Sequence, residues 1–155
     1  MNYELLLDEA YQNGLIVKEK PLKYNDGRIK GNRIAIRKSI ETSTRRACVL
    51  AEELGHHHTT VGNILDQSDI GNRKQERKAR AWAYEKMAPL DSIKQAFTAG
   101  YYEPWDIAEY LDVDERFLRE AMQYYEEVHG DELIRWRQEA ELREAFRDAG
   151  IKIED

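Results

Sequence analysis

A chain of 155 residues with 41% hydrophobic and 35% charged side chains is long enough for one domain or two very small ones, and too apolar for global disorder. No apolar run approaches the roughly 20 residues that span a bilayer, and the opening MNYELLLDEAYQNG carries acids where a secretory signal carries Lys or Arg; the expectation is a soluble, cytoplasmic protein without membrane contact. The net charge of −6 divides into +4 over residues 1–50, zero over 51–100 and −10 over 101–155, and so acidic a final third repels phosphate and points away from nucleic acid, toward a basic or apolar protein partner.

The first predicted element is a short amphipathic helix over NYELLLDEAYQNG, with apolar residues at 3, 5, 6, 7 and 10 and a stop at Asn13-Gly14. LIVKEK (15–20) is a short β-prone run halted by Pro21. GRIKGNRIAIRK (27–38) follows as a hairpin in which Ile34 and Ile36 alternate with charged or small neighbours and Gly31-Asn32 supplies the turn. One helix and a small antiparallel sheet is the simplest account.

TSTRRACVLAEELGHH (42–57) is the next helix, with Ser43 or Thr44 placed to cap it. Cys48 sits on its apolar side and reads as a small core residue, not a reactive thiol. Gly55 weakens the helix but permits another backbone to approach. TTVGNILDQSDIGN reads as irregular. A further helix runs from about Arg73 to Lys86, packs through Ala79, Trp82 and Ala83, and ends at Pro89.

The character changes near residue 90, the predicted boundary between units 1–90 and 91–155. DSIKQAFTAG, EPWDIAEYL, DVDERFLREAMQYYEEV and DELIRWRQEAELREAFRDAG are four helices, with a tight break at Asp112-Val113-Asp114 and Asp114 as an N-cap. The middle of this run has the cadence of a helix-turn-helix. Its second helix carries more acid than base, which suits packing or partner binding better than DNA reading. Trp105, Tyr110, Phe117, Leu118, Met122 and Tyr125 are its expected core. The last helix, 131–148, packs either on this unit or on a partner helix. His129 is expected at a solvated helix end, favoured by the helix dipole.

The chemistry concentrates in AEELGHHHTT (51–60). Residues four apart on a helix share a face, so Glu52 and His56 point the same way. In zinc hydrolases this spacing holds two ligands, and the residue after the first is a glutamate base, here Glu53. A third ligand must come from elsewhere, and Glu76 on the following helix is well placed. His57 and His58 lie about 100° and about 200° further round an ideal helix. They are either exposed polar residues and donors behind a ligand, or one of them replaces the absent first histidine. The bland alternative for Glu52, Glu53 and Glu76 is that they are surface acids of a highly charged chain.

LAEELGHH, followed some twenty residues later by QERKARAWAYEKMAP, resembles the ImmA/IrrE group of metallopeptidase-like proteins over roughly residues 1–90. In that group a His-Glu-x-x-His helix precedes a helix with a glutamate ligand, small residues and a closing proline. The resemblance implies Glu53 as the catalytic glutamate, His56 as the second histidine ligand and Glu76 as the acidic ligand. Glu52 stands where the group has its first histidine and departs from the pattern. The implied fold is α+β: a zincin-like N-terminal part with a small antiparallel sheet, then an all-α, helix-turn-helix-like C-terminal part. An edge strand beside the metal helix, for which the 27–38 hairpin is the candidate, would hold substrate by strand addition. The implied activity is metal-assisted peptide hydrolysis of a phage or mobile-element repressor that carries a helix-turn-helix. The runner-up is a catalytically impaired relative acting as an antirepressor or adaptor by binding.

The departure at Glu52 has physical consequences. One imidazole and two carboxylates leave a divalent ion formally neutral, whereas two imidazoles and one carboxylate leave it positive. The less positive ion activates water less, and harder oxygen donors shift preference from Zn toward Mn or Mg. The expectation is therefore weak or absent peptidase activity at neutral pH, or activity with an unusual metal.

Overall fold

A computed structural model describes residues 1–60 and 69–152, and divides them between two compact units, Met1–Met87 and Ala88–Asp155. The first unit begins with α1 (Tyr3–Gln12), whose start is capped by the Asn2 side chain accepting from the Leu5 amide at 2.9 Å. Leu6 and Ala10, one turn apart, are its buried stripe. The chain leaves through Gly14 at φ +74°, a left-handed conformation that glycine adopts without strain.

Three strands follow, β1 (Ile16–Lys20), β2 (Gly27–Lys30) and β3 (Arg33–Arg37), in the order β1-β3-β2. The β2–β3 hairpin is antiparallel and turns at Gly31, φ +60°, as its sequence predicts. The sheet as a whole is mixed, because β1 lies parallel to β3 in the register Ile16↔Arg33 to Lys20↔Arg37. The expected all-antiparallel sheet is corrected on this point. Residues 21–26 carry the chain across β3 to the far edge, so β1 and β2 never pair. Alternation along β3 buries Ile34 and Ile36 on one face and turns Arg33, Ala35 and Arg37 to the other.

Helix α2 (Ser43–Thr59) packs against α1, β2, β3 and α3 (Asp69–Met87). That is why Ala47, Cys48, Val49, Leu50, Ala51 and Leu54 are all buried: a helix enclosed on several sides is apolar nearly all round. Cys48 is a buried core residue, as expected. The cap of α2 is Thr42, not Ser43 or Thr44; its hydroxyl accepts from the Arg45 amide at 3.1 Å. Helix α3 is longer than its sequence pattern predicts, since residues 69–72 are helical where the turn-forming residues predict an irregular stretch. At the other end of that stretch Thr59 closes α2 and Thr60 caps it, and residues 61–68 lie outside the described residues.

The second unit holds α4 (Leu90–Thr98), α5 (Pro104–Leu111), α6 (Glu115–His129) and α7 (Glu132–Asp148). The molecule is therefore α+β, with a helical C-terminal part. The break between α5 and α6 turns on Asp112 at φ +54°, and the Asp114 carboxylate caps α6 by accepting from the Phe117 amide at 3.2 Å. Phe117, Leu118 and Tyr125 are buried with Ile93, Phe97 and Ile107, and the Tyr125 hydroxyl donates to the Ala88 carbonyl at 2.9 Å. Two expected core residues are outside it: Trp105 is 55% and Tyr110 46% exposed, and Met122 is only partly covered. A short helix buries one stripe, and on α5 Ile107 and Ala108 occupy it. Helix α7 packs on α4 and α6, and Lys94 lies 4.6 Å over the Trp136 ring. His129 is an exposed residue at the end of α6, as expected.

Candidate metal centre

Two neighbouring helices bring the central pair together. Gly55 of α2 faces Ala79 of α3 so closely that a Cβ on residue 55 would lie 2.3 Å from the Ala79 carbonyl oxygen. This close crossing sets His56, the next residue on α2, opposite Glu76, one turn before Ala79 on α3. The His56 Nε2–H donates to Glu76 Oε1 at 3.2 Å. The bond raises the imidazole's pKa above its ordinary value, helped by the Glu76, Glu53 and Glu52 charges and opposed by burial. It lowers the Glu76 carboxyl, with His56 and Arg80 adding attraction and burial opposing.

Glu53 is the only buried charged residue among those described, at 8% exposure. Burial is the first cause that pushes its carboxyl up to about 7; the Glu52 and Glu76 charges add to it and His56 opposes. A glycine makes room for this side chain. A Cβ on Gly27, the first residue of β2, would lie 2.8 Å from Glu53 Oε1 and 2.7 Å from Val49 Cγ1. Sequence reading missed Gly27; the signal was a glycine opening a strand, which often marks a close approach.

Glu52 is partly exposed and acts on Glu53 and His56 through its charge. Among the described residues no three His, Cys, Asp or Glu side chains are grouped so as to hold a metal ion. The structure thus joins His56 to Glu76 and does not bring Glu52 into a three-donor set with them. Helix α2 continues through Thr59, so His57 and His58 turn away from His56 as an unbroken helix requires. His58 stacks on Trp82 with ring centroids 4.8 Å apart, and His57 meets His58 edge-on at 5.0 Å.

Donor geometry tests the fit of a metal. Two ligand atoms about 2.0–2.1 Å from a tetrahedral ion stand about 3.3 Å apart. The His56–Glu76 separation of 3.2 Å is compatible with that as well as with a hydrogen bond. Two positions of the donor set therefore fit a divalent ion.

A family model described as the IrrE N-terminal-like domain, a peptidase family, matches residues 1–123. The chain belongs to this family. The match runs beyond the first ninety residues that carry the motif and takes in α4, α5 and part of α6. Comparisons with curated proteins and with solved structures gave no match. Membership makes the fold metallopeptidase-like, and no helix among the described residues is long and apolar enough to cross a membrane.

Proposed function

We propose that this IrrE-like protein is a metallopeptidase-type regulator of phage or mobile-element origin, with residues 1–90 as its zincin-like domain. In this reading it acts by peptide hydrolysis on a repressor carrying a helix-turn-helix. The observation that carries it is the meeting of His56 and Glu76 at 3.2 Å beside the buried Glu53. His56 and Glu76, with Glu52 as the provisional third donor, would hold a divalent cation, zinc or a harder ion such as manganese. Bound there, the ion would supply Lewis acidity toward water and the scissile carbonyl.

The chain's own groups do the proton work. Glu53 lies beside the His56–Glu76 pair, and its carboxylate can accept a proton from the attacking water and return it to the leaving amine. The Gly27 backbone walls it on one side and keeps it from bulk water. The outer edge of β2 pairs with no described strand, and it would align an extended substrate beside this carboxyl.

Binding without hydrolysis is the second reading. It is favoured by Glu52, a carboxylate in the motif's first histidine position that would leave a bound ion less positive, and by the acidic final third of the chain. Helix α6 supports a protein target over DNA in either reading. Arg116 and Arg119 are engaged with Glu120 and Glu115 of the same helix, at 3.3 and 2.8 Å. Co-expression with a candidate helix-turn-helix repressor separates the two. A cleaved repressor that stays whole with Glu53→Gln is expected; an intact repressor that co-purifies would establish the binder.

A further inference from the structure

The sheet face turned away from α2 is a trough of about 320 Å³ whose rim carries Lys18, Lys20, Arg28, Lys30 and Arg33 around a floor at Ala35. The pleat puts them there. Lys18, Ala35 and Arg28 lie side by side across the three strands, and Ile16, Arg33 and Lys30 form the next row. All five cations are exposed, and none makes an ion pair with a described residue. Arg37, next along the same face, shares the Asp26 carboxylate with Arg45, at 3.4 and 2.9 Å, and so is partly neutralised. Lys30 stands directly opposite Arg33, an arrangement that costs stability when nothing anionic lies between. Lysines on an edge strand can serve only to discourage strand pairing. That account does not extend to Arg33, on the central strand.

From this we infer that the outer sheet face recognises an acidic extended peptide added along the free edge of β2. A strand laid beside β2 sends every second side chain to the face of Arg28 and Lys30, about 6.6–6.8 Å apart. Glutamates or aspartates at alternate positions would meet those two cations, with Arg33 one strand further in, about 9–10 Å across the sheet. The intervening side chains would face the side of Gly27 and Ile29. A single-stranded nucleic acid fits the face less well. Such ligands stack bases on aromatic rings, and no aromatic residue lines the trough. The inference concerns binding and does not rest on hydrolysis.

Fluorescence anisotropy of the intact protein with a labelled peptide of alternating glutamate and valine tests it. Binding should weaken with added salt. The double reversal Arg28→Glu with Lys30→Glu should lower affinity about tenfold or more, because it replaces attraction by repulsion at exposed sites that the fold does not need. Reversing Lys23 and Lys38, exposed lysines outside the trough, controls for net charge and should change affinity far less. A peptide of the same composition with its glutamates in one block should bind more weakly, since half of them would face the wrong way. The inference is overturned by equal binding of the alternating and block peptides, by unchanged affinity in the Arg28/Lys30 reversal, or by an oligonucleotide that outcompetes the peptide. A protein that binds the alternating peptide and leaves a co-expressed repressor uncut overturns the hydrolytic reading and leaves this one standing.

Discussion

Glu53 has an ordinary carboxyl pKa of 4.5 that burial lifts to about 7. Between those values the folded chain holds a proton that the unfolded chain has lost, so stability falls as pH rises from 4.5 to about 7 and stays lower above. His56 works in the same direction: its raised pKa gives a contribution fully present below 6.5 and lost as pH climbs through the folded value. Glu76 is lowered, so its contribution is present above 4.5 and lost in acid. Metal-free protein is therefore expected to be most stable in mild acid. Replacing Glu53 by Gln should remove the largest part of this slope and raise stability near pH 8 by roughly 1–3 kcal/mol. Denaturant melts of both proteins at about pH 5.5 and about pH 8 check this; parallel slopes in the two would contradict it. Gly27→Ala probes the same carboxyl from outside. The added methyl must displace Glu53 or Val49, costing roughly 1–3 kcal/mol and lowering any hydrolytic rate.

At the scale of elements, the crossing of α2 and α3 positions the pair. Alanine in place of Gly55 would gain about 1 kcal/mol of helix propensity. The clash with the Ala79 carbonyl outweighs that gain. Gly55→Ala should cost about 3 kcal/mol net or unfold the first unit, and surviving protein should lose the His56–Glu76 contact. Thermal melts and the loss of the histidine's raised NMR titration midpoint would show it. This crossing was legible in the sequence, since a glycine one residue before a candidate ligand has few other uses. So were α1, the β2–β3 hairpin and the Asp114 cap, which rest on local signals. The parallel partner of β3 was not legible, because pairing across the sheet is a long-range choice that LIVKEK does not encode. Nor was the exposure of Trp105 and Tyr110: aromatic content does not reveal which stripe of a two-turn helix faces inward.

Across the molecule, the candidate site uses side chains from α2 and α3 and backbone from β2, three elements that a motif alone does not bring together. The motif supplied Glu52, Glu53 and His56; the second helix supplied Glu76; Gly27 needed the fold. Glu52 takes its ligand position from the four-residue spacing to His56 and from the motif's first histidine slot. Glu52→His restores the second imidazole at that position. It should raise zinc affinity and, if the hydrolytic reading holds, the rate at neutral pH, because the ion would become more positive. Unchanged zinc binding would show that residue 52 is no ligand.

The central claim is that His56 and Glu76 share one divalent cation. Metal content of freshly purified protein, measured beside Glu76→Ala and His56→Ala, tests it most directly. The account predicts stoichiometric metal in the parent chain and its loss in both variants while their folds persist by circular dichroism. Metal-free parent protein that takes up neither zinc nor manganese on titration, or full retention in the two variants, would contradict it.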